Sequence, residues 1–470
     1  MRRTALAFAL SLLVAFPLQA QQATRIDDAA MARASQLRAV ALQDDTGWKV
    51  VESLTTEVGP RLAGSEADAR AVEWAKAKFK ALGYDKVWTQ PVTFPKWERR
   101  GESARIVGAH AQKLHVTALG GSPGGRVEAE VVRFASLEAL QQAAPGSLAG
   151  KIAFIDYAMT RARDGSGYGP GSRVRTGGPS AAIRAGAIAY LMRSAGTDSH
   201  RNPHTGITRF DEGLAPIPSA ALSLPDADQL ARLLALRPVK VTLDLDCGWS
   251  GTYTSQNVIG EVTGRSRPDE VVVIGVHLDS WDLGTGAIDD GAGVAITMAA
   301  GHLIGQLPKA RRPARSIRVI AFANEEHGLY GGRAYADQHA ADLRKHQLGA
   351  ESDFGAGRIY AFAAKVPDHA KDAVARIAQA LAPLGIEHRT EGEGCGPDLS
   401  PINGLGMACA SLSQDGTDYF DLHHTPDDTL DKIDPQALAQ NVAAYTVFAY
   451  LAADAEGHFG SAPKASEAGK

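Results

Sequence analysis

The spacing of hydrophobic positions changes twice along this chain, and each of the three patterns predicts a different kind of structure. Over about residues 24–100, apolar side chains recur every three or four residues and predict two helices followed by a strand. Ser65 should cap the second helix, because a serine with an acidic residue three positions later is a helix-start signal. The strand should begin at Lys86 and end at Phe94, since Pro95 cannot donate to a strand ladder.

Between about residues 102 and 250 the pattern becomes short β-like runs separated by turns rich in glycine and proline. The stretch Gly165–Gly178 holds six glycines without apolar periodicity, so a loop is predicted there. These features predict a separate α+β unit inserted into the chain. Its predicted strands are Arg126–Phe134, Lys151–Asp156 and Val239–Leu245, and its predicted helices are Ser180–Ala189 and Asp226–Leu236.

From residue 251 onward, continuous apolar runs alternate with helical stretches. The run Glu270–Val276 has the composition of a strand buried on both faces, and Ile317–Ala323 and Ile359–Ala363 repeat it. The alternation predicts an α/β fold with a mixed, mostly parallel sheet flanked by helices. The predicted organisation is a leader over 1–20, a first part of the α/β domain over 21–101, the insert over 102–250, and the main part of the α/β domain over 251–470.

The chain begins with a charged and then apolar segment that is typical of a secretory signal peptide. Two arginines follow Met1 and precede an apolar run from Thr4 to Leu18, and cleavage is expected after Ala20. The run is too short to span a bilayer comfortably, which takes about 20 residues. No later stretch is long and apolar enough, so the mature chain is expected to be soluble, exported to the periplasm or secreted, and without a membrane partner.

Charge and cysteine content exclude several classes of protein. The chain has 49 basic and 53 acidic residues, a net charge of −4, and loss of the two leader arginines makes this −6. No basic excess is therefore available for nucleic acid or anionic lipid. Cys247, Cys395 and Cys409 are too few for a disulfide scaffold. Cys395 and Cys409 could pair across a loop in an oxidising compartment, and three unpaired thiols fit the sequence equally well.

Histidine and acidic side chains cluster beside the predicted strands. In open α/β sheets, ligands bind beyond the carboxyl ends of the strands, so these residues are candidates for a site. Each cluster alone is ordinary, because paired aspartates before glycine usually start a helix and a Glu-Glu pair usually faces solvent. Together, nitrogen and oxygen donors without thiolates suit a hydrolytic zinc site. The clusters are His277–Ser280, Asp289–Gly293, Asn324–His327, Glu351–Asp353 and His423–Thr429.

Several of these motifs taken together resemble one known family, the co-catalytic dizinc exopeptidases, and within it the carboxypeptidase Q branch. The most specific stretch is His277–Asp282, which runs into Gly286–Gly291. The resemblance covers nearly the whole mature chain and also includes Gly59–Ser65, His204–Ile207 and Ile217–Ala220. It implies a fold like that of the dizinc aminopeptidases, with an insert that is similar to a protease-associated domain.

The resemblance implies two zinc ions per chain and a ligand role for each matching position. His277 and Asp353 would bind one zinc ion, and Glu326 and His424 would bind the other. Asp289 would bridge the two ions, a role that a carboxylate can fill through its two oxygens whereas an imidazole cannot.

The same resemblance assigns roles to residues that do not bind metal. Glu325 matches the general base that takes a proton from the attacking water and returns it to the leaving amine. Asp279 matches a carboxylate that orients His277. Asp290 is expected to cap the following helix, and His423 is expected to be structural.

The expected substrates are dipeptides or other short peptides. In resembling enzymes the insert lies over the metal site and admits only short peptides, so Gly165–Gly178 or His204–Asp211 should approach the site. The insert could instead be a peripheral unit that makes dimer contacts, which leaves a homodimer open. One loop, Gly392–Asp398, departs from the family pattern immediately before Asp398. The choice between aminopeptidase, dipeptidase and carboxypeptidase therefore stays open.

Two other classes of protein share this fold. Glutaminyl cyclases work with one zinc ion, whereas both ligand pairs are present in this chain and favour two. Receptor-like relatives keep the fold and lose the ligands, whereas all five ligands and the base are present here.

Overall fold

A computed structural model describes residues 23–109, 111–390, 392 and 394–464. The predicted signal peptide lies outside the described residues. Ahead of the predicted insert, three helices precede a long strand, where the sequence predicted two helices. Asp44 accepts a hydrogen bond from the backbone N–H of Thr46 at 2.8 Å, in the turn that separates the first helix from the second. These elements are α1 Asp28–Ala41, α2 Thr46–Glu57, α3 Glu66–Ala81 and β1 Lys86–Ile106.

Ser65 caps α3 as the sequence predicted, since its side chain accepts a hydrogen bond from the backbone N–H of Asp68.

The next part of the chain alternates short strands and helices and ends in a second long strand. Its elements are β2 Gln112–Leu114, β3 Val116–Ala118, β4 Gly125–Phe134, α4 Leu137–Gln141, β5 Ile152–Ile155, α5 Tyr168–Arg184, β6 Ala189–Arg193, β7 Ser219–Leu222, α6 Leu224–Leu236 and β8 Lys240–Val262.

The last part of the described chain alternates strands with helices. Its strands are β9 Arg267–His277, β10 Arg315–Phe322, β11 His346–Glu351, β12 Ile359–Lys365, β13 Glu387–His388 and β14 Cys409–Gln414. Its helices are α7 Ala292–Gly305, α8 Tyr330–His339, α9 Lys371–Leu381, α10 Ser400–Leu405, α11 Tyr419–Leu422 and α12 Pro435–Asp454, with a π-helical turn at Ala287–Gly291.

The strands form one continuous sheet. It is mixed, as the sequence predicted, but it also includes the strands of the predicted insert. One part of the sheet has the order β13-β12-β14-β11-β9-β10-β8. Its four consecutive strands β14, β11, β9 and β10 are parallel to one another. The neighbours β12 and β14 are antiparallel, and so are β10 and β8. The order continues through β4, β5, β6 and β7 to β3, in which β4 to β7 are again parallel.

Strand β9 shows why this sequence forms a buried central strand. Val272 and Ile274 pack into the core on one face of the sheet, beside α7 and α12. Val271 and Val273 pack into the core on the opposite face, beside α8 and α10. Because both faces are covered, the strand is apolar at successive positions from Val271 to Ile274 and not only at alternate ones.

Strand β1 is longer than the sequence predicted and continues past Pro95 to Ile106. Pro95 lies at an irregularity in the pairing of β1 with β8, where a missing N–H donor is tolerated. The buried Trp97 follows it and contributes to the next core. The predicted insert boundaries fall inside this ribbon, since Gly101 pairs with Asp246 and Trp97 pairs with Trp249. A separate inserted domain therefore stays a prediction.

The glycine-rich stretch Gly165–Gly178 was predicted to be a loop, and this is wrong from Tyr168 onward, where α5 begins. The glycines let the helix approach its neighbours closely, because a Cβ on Gly178 would come within 2.1 Å of the Tyr190 hydroxyl oxygen. That hydroxyl donates to the carbonyl of Val174 at 2.9 Å. Tertiary packing thus overrides the low helix propensity of glycine. The helix ends at Arg184, whereas the sequence predicted a helix that continues to Ala189. Ala189 is instead the first residue of strand β6.

Two further features concern the chain as a whole. Cys395 and Cys409 form a disulfide, and Cys247 is a free, buried thiol. Among the helices of the described residues, none combines the length and apolar composition that crossing a membrane requires.

Candidate active site

The predicted site residues meet at one edge of the sheet. Strand β9 ends at His277, Glu325 and Glu326 follow β10, and Asp353 follows β11. These three strands are parallel neighbours, so their carboxyl ends lie side by side. The turn before α7 and the segment after α11 supply Asp289 and His424.

Asp289 lies between two histidines. Its Oδ1 is 3.0 Å from Nε2 of His277, and its Oδ2 is 3.2 Å from Nε2 of His424. Nε2 of His277 is also 3.4 Å from Oδ1 of Asp353, and Nε2 of His424 is 3.0 Å from Oε2 of Glu326. The five predicted ligands thus form two pairs that share Asp289, and we call them the ligand wall.

Charge explains how these groups affect one another. Burial disfavours the charged form of His277, but the carboxylates of Asp353 and Asp289 outweigh it and raise the pKa of His277 well above its ordinary value. The same balance, with Glu326 and Asp289 as partners, raises the pKa of His424. Burial acts to raise the pKa of Asp289, but hydrogen bonds from both histidines hold it well below its ordinary value. Asp289 therefore interacts with a histidine at each of its two carboxylate oxygens.

The donor set fits a divalent metal such as zinc. Burial raises the pKa of both Glu326 and Asp353, and the neighbouring carboxylate of Asp289 acts in the same direction on each. Several buried carboxylates close together are costly unless a cation compensates their negative charge. Among the described residues, Oε1 of Glu326 is buried and has no hydrogen-bond partner, which leaves it available to a cation. Imidazole nitrogens and carboxylate oxygens, without thiolates, are donors that zinc accepts.

Glu325 and Asp279 lie beside the ligand wall. Glu325 is half-buried, and burial raises its pKa well above the ordinary value, with Asp353 and Glu326 acting in the same direction against His277. The backbone N–H of Glu325 donates to Oδ1 of Asp279 at 3.0 Å. Nδ1 of His277 is 3.0 Å from the carbonyl oxygen of Asp279 and 3.7 Å from its Oδ1. Asp279 thus contacts both His277, chiefly through its backbone, and the segment that carries Glu325.

Asp290 caps α7 as predicted, because its Oδ1 accepts the backbone N–H of Gly293 at 3.1 Å. His423 stacks on His424 with ring centroids 3.5 Å apart. Its Nε2 is 3.5 Å from Oδ2 of Asp289, slightly farther than that of His424. Burial lowers the pKa of His423 well below its ordinary value, and His424 acts in the same direction.

Three residues that support the site were given no role from the sequence. Trp281 donates its indole N–H to Oε2 of Glu326 at 2.6 Å. Asp428 accepts the backbone N–H groups of Ile288 at 2.6 Å and Asp289 at 3.2 Å, which holds the turn before α7. The buried Arg61 donates to the carbonyl groups of Leu278, Thr285 and Gly286. Arg61, Trp281 and Asp428 lie in or near motifs that carried the resemblance, which was the available signal.

A cavity of about 380 Å³ opens in front of the ligand wall. Four side chains from the region of the predicted insert also line it, namely Tyr168, Arg175, Ile207 and Arg209, and we call them the insert wall. Both segments that the sequence singled out, around Gly165–Gly178 and His204–Asp211, therefore reach the site. The segment that leads into Ile207 and Arg209 also contacts a predicted ligand, since Thr205 donates its N–H to the carbonyl of His424 at 3.0 Å. Nδ1 of His424 is also 3.2 Å from the carbonyl oxygen of Thr205.

The loop that departs from the family pattern also borders this cavity. Pro397 is one of its lining residues. The backbone N–H groups of Asp398 and Leu399 donate to the carboxylate of Glu351, and Oδ1 of Asp398 accepts the N–H of Gly332 at 3.1 Å. The disulfide at Cys395 attaches the same loop to strand β14.

Comparison with known proteins identifies the family. The sequence model of peptidase family M28 matches residues 257–449 of this chain. Carboxypeptidase Q of Mus musculus is 33% identical over 407 residues, which covers 85% of this chain and 84% of that protein. Carboxypeptidase Q of Homo sapiens is 33% identical over 414 residues and covers 86% and 84%.

Solved structures agree with this result. The crystal structure of a peptidase M28 precursor from Shewanella amazonensis SB2B has a TM-score of 0.88 and 49% identity, covering 93% of this chain and 100% of that one. An aminopeptidase from Aneurinibacillus sp. strain AM-1 has a TM-score of 0.62 at 22% identity, covering 93% and 99%, and so shares the fold. The chain belongs to peptidase family M28 and, as its sequence predicted, is a metallo-exopeptidase.

Proposed function

We propose that this protein is a zinc-dependent exopeptidase that hydrolyses dipeptides or short peptides, with Glu325 as its general base. The observation that carries the proposal is the shared position of Asp289, whose two oxygens face His277 and His424. This arrangement suits two metal ions, with His277 and Asp353 holding one, Glu326 and His424 the other, and Asp289 bridging. A Bacillus subtilis zinc aminopeptidase of the same fold supports zinc as the metal. Two zinc ions held there would acidify a water and polarise the scissile carbonyl.

The residues of the chain supply the proton transfer. Glu325 lines the same cavity as Asp289, Glu326 and Asp353 but is not a member of either ligand pair. A carboxylate with a raised pKa is a better proton acceptor than an ordinary one, and it can return the proton to the leaving amine. Asp279 holds the backbone N–H of Glu325 and so fixes the position of this base.

The cavity supports short substrates. Its volume of about 380 Å³ lies at the lower end of the range for small-molecule sites, and the insert wall lines it together with the proposed ligands. We also propose that the region 102–250 acts as a cap over the site and excludes folded proteins. Rapid cleavage of a folded protein or of an internal bond in a long peptide by the intact enzyme would contradict the cap.

We further propose that the protein is exported. The Cys395–Cys409 disulfide supports an oxidising compartment, and the N-terminal segment has the composition of a signal peptide. N-terminal sequencing of the mature protein should show cleavage after Ala20.

The test of the catalytic proposal is Glu325→Gln. Both zinc ions should remain bound, because Glu325 is not a ligand, while turnover of a dipeptide falls by about 10²–10⁴-fold. Glu73→Gln, an exposed glutamate on α3, is the matched control and should leave activity unchanged. Near-normal turnover by Glu325→Gln would contradict the role of Glu325 as base.

A further inference from the structure

In the described part of the chain, one group of side chains that could hold a metal ion lies away from the ligand wall. It consists of His339, Asp342 and His346, each of which places a donor atom within 4.8 Å of the donor atoms of the other two. Nδ1 of His339 is 3.1 Å from Oδ1 of Asp342, and the rings of the two histidines have centroids 5.0 Å apart. We call these three residues the α8 cluster.

The connection between α8 and β11 brings the α8 cluster together. Helix α8 ends at His339, and β11 begins at His346 after a 3₁₀ turn that contains Asp342. Leu343 of this turn and Tyr335 of α8 are buried in the same apolar core. Because packing fixes the backbone on both sides of the turn, the three side chains are held near one another.

The α8 cluster combines one buried side chain with two that solvent can reach. His346 is only 1% exposed, whereas the side chains of His339 and Asp342 are 16% and 38% exposed. An ion can therefore enter from solvent on the side of His339 and Asp342 and be held from the protein interior by His346.

His346 has the surroundings of a metal ligand. Its Nε2 is 2.8 Å from the hydroxyl oxygen of Tyr335, which also accepts a hydrogen bond from Nη1 of Arg318 at 2.9 Å. Arg318 in turn is paired with Glu261 at 2.8 Å, which balances its positive charge. A group that holds the second ring nitrogen in this way orients a metal-binding imidazole.

The other ring nitrogen of His346 is left without a partner. Among the described residues, nothing forms a hydrogen bond with Nδ1 of His346, although this atom is buried. A buried polar atom without a partner is costly. A cation bound at Nδ1 would remove that cost while Tyr335 keeps the ring in place.

The donor set suits zinc. Two imidazoles and one carboxylate are ligands that zinc accepts, and three protein ligands leave the fourth position to water. Zinc bonds of about 2.0–2.2 Å place the ligand atoms of a tetrahedral site roughly 3.4 Å apart. His339 and Asp342 are already close to that separation, and shifts of roughly 1 Å in these partly exposed side chains complete the site.

The α8 cluster is distinct from the ligand wall. His346 begins β11 and Asp353 follows the end of that strand, so roughly 20 Å separates them at about 3.3 Å per residue. The cavity in front of the ligand wall is lined by none of the three residues. An ion bound to the α8 cluster would therefore join α8 to β11 at the end of that strand remote from the proposed catalytic residues.

We propose that the α8 cluster binds a zinc ion that ties the end of α8 to the start of β11. The ion has a structural role and takes no part in hydrolysis. With three protein ligands, two of them partly exposed, it should exchange with solvent more readily than ions held by the buried ligand wall with its shared carboxylate. Dialysis therefore removes this ion, and added zinc restores it. The inference does not depend on the proposed function.

The test measures the zinc bound by the whole protein. Calorimetric titration of the dialysed wild type with zinc chloride should show one more ion per chain than titration of Asp342→Asn or His339→Gln. Each variant removes one ligand and keeps a side chain of similar size. Asp337→Asn, an exposed position on the same helix, is the matched control and should bind as many ions as the wild type. Added zinc should also raise the melting temperature of the wild type and of Asp337→Asn more than that of either ligand variant.

The outcomes are distinguishable from those that test the proposed function. If the wild type, Asp342→Asn and His339→Gln bind the same number of ions with the same affinity, the α8 cluster is not a zinc site and the inference is overturned. That result leaves the proposed function standing, because neither variant changes the ligand wall. Conversely, a wild type that binds the additional ion but hydrolyses no peptide would contradict the proposed function and leave this inference intact.

Discussion

The two walls of the cavity are built in different ways. Every member of the ligand wall lies next to an apolar strand or a tight turn, and each contacts another member within 3.4 Å. The insert wall lies on a glycine-rich helix and an extended segment, and Arg209 has no partner among the described residues. Buried, mutually paired groups suit the binding of metal ions, which requires fixed geometry.

The strongest test of this comparison is the removal of Asp289, because both ligand pairs share it. Asp289→Ala should reduce the metal content from two ions to nearly none and abolish peptidase activity, whereas His424→Ala should chiefly empty one site. Metal analysis of each purified variant provides the measurement, and a chelator should abolish the wild-type activity reversibly. Asp269→Ala, an exposed aspartate on β9, is the control.

A single ion that survives Asp289→Ala would contradict the bridging role. It would favour a site with one zinc ion, as in the glutaminyl cyclases.

A smaller effect is expected where the two walls are joined. His204 is buried, and its Nδ1 is 2.7 Å from the carbonyl oxygen of His423, next to the ligand His424. His204→Ala should lower zinc affinity by about 10-fold, because groups that orient ligands commonly contribute 10–100-fold. Titration with zinc measures this, and His200→Ala, an exposed histidine, is the control. Unchanged zinc affinity in a folded His204→Ala variant would show that the insert does not help to position the ligand.

The smallest effect on catalysis is expected from the disulfide, which holds a loop at the margin of both walls. Replacing Cys395 and Cys409 together by serine should lower the free energy of unfolding by about 2–4 kcal/mol, since the bond closes a short loop. Metal content and turnover should stay close to those of the wild type. Denaturant unfolding measures stability, and Cys247→Ser tests whether loss of a buried thiol has a similar effect. Loss of zinc from the double variant would mean that this loop also supports the ligands.

The sequence was most informative where the composition of a short segment, or contacts within one turn, decide the structure. The strand ending at His277 was predicted because four successive apolar residues can be accommodated only when both faces are covered. The cap at Ser65 was predicted because it depends on residues within one turn. The strand through Pro95 was missed, because its continuation depends on the pairing with β8, more than 150 positions later.

The sequence by itself determined the α/β fold, the family, and the side chains that meet at the ligand wall. Each of those residues is next to a segment whose own composition fixes its structure, so parallel pairing brings the ends together. Only the tertiary structure decided that Gly165–Gly178 is largely helical and that Arg175 supports the segment 205–209. The free position of Arg209 was decided there as well. These features depend on contacts between residues far apart in the chain, and no local pattern of apolar and polar residues records such contacts.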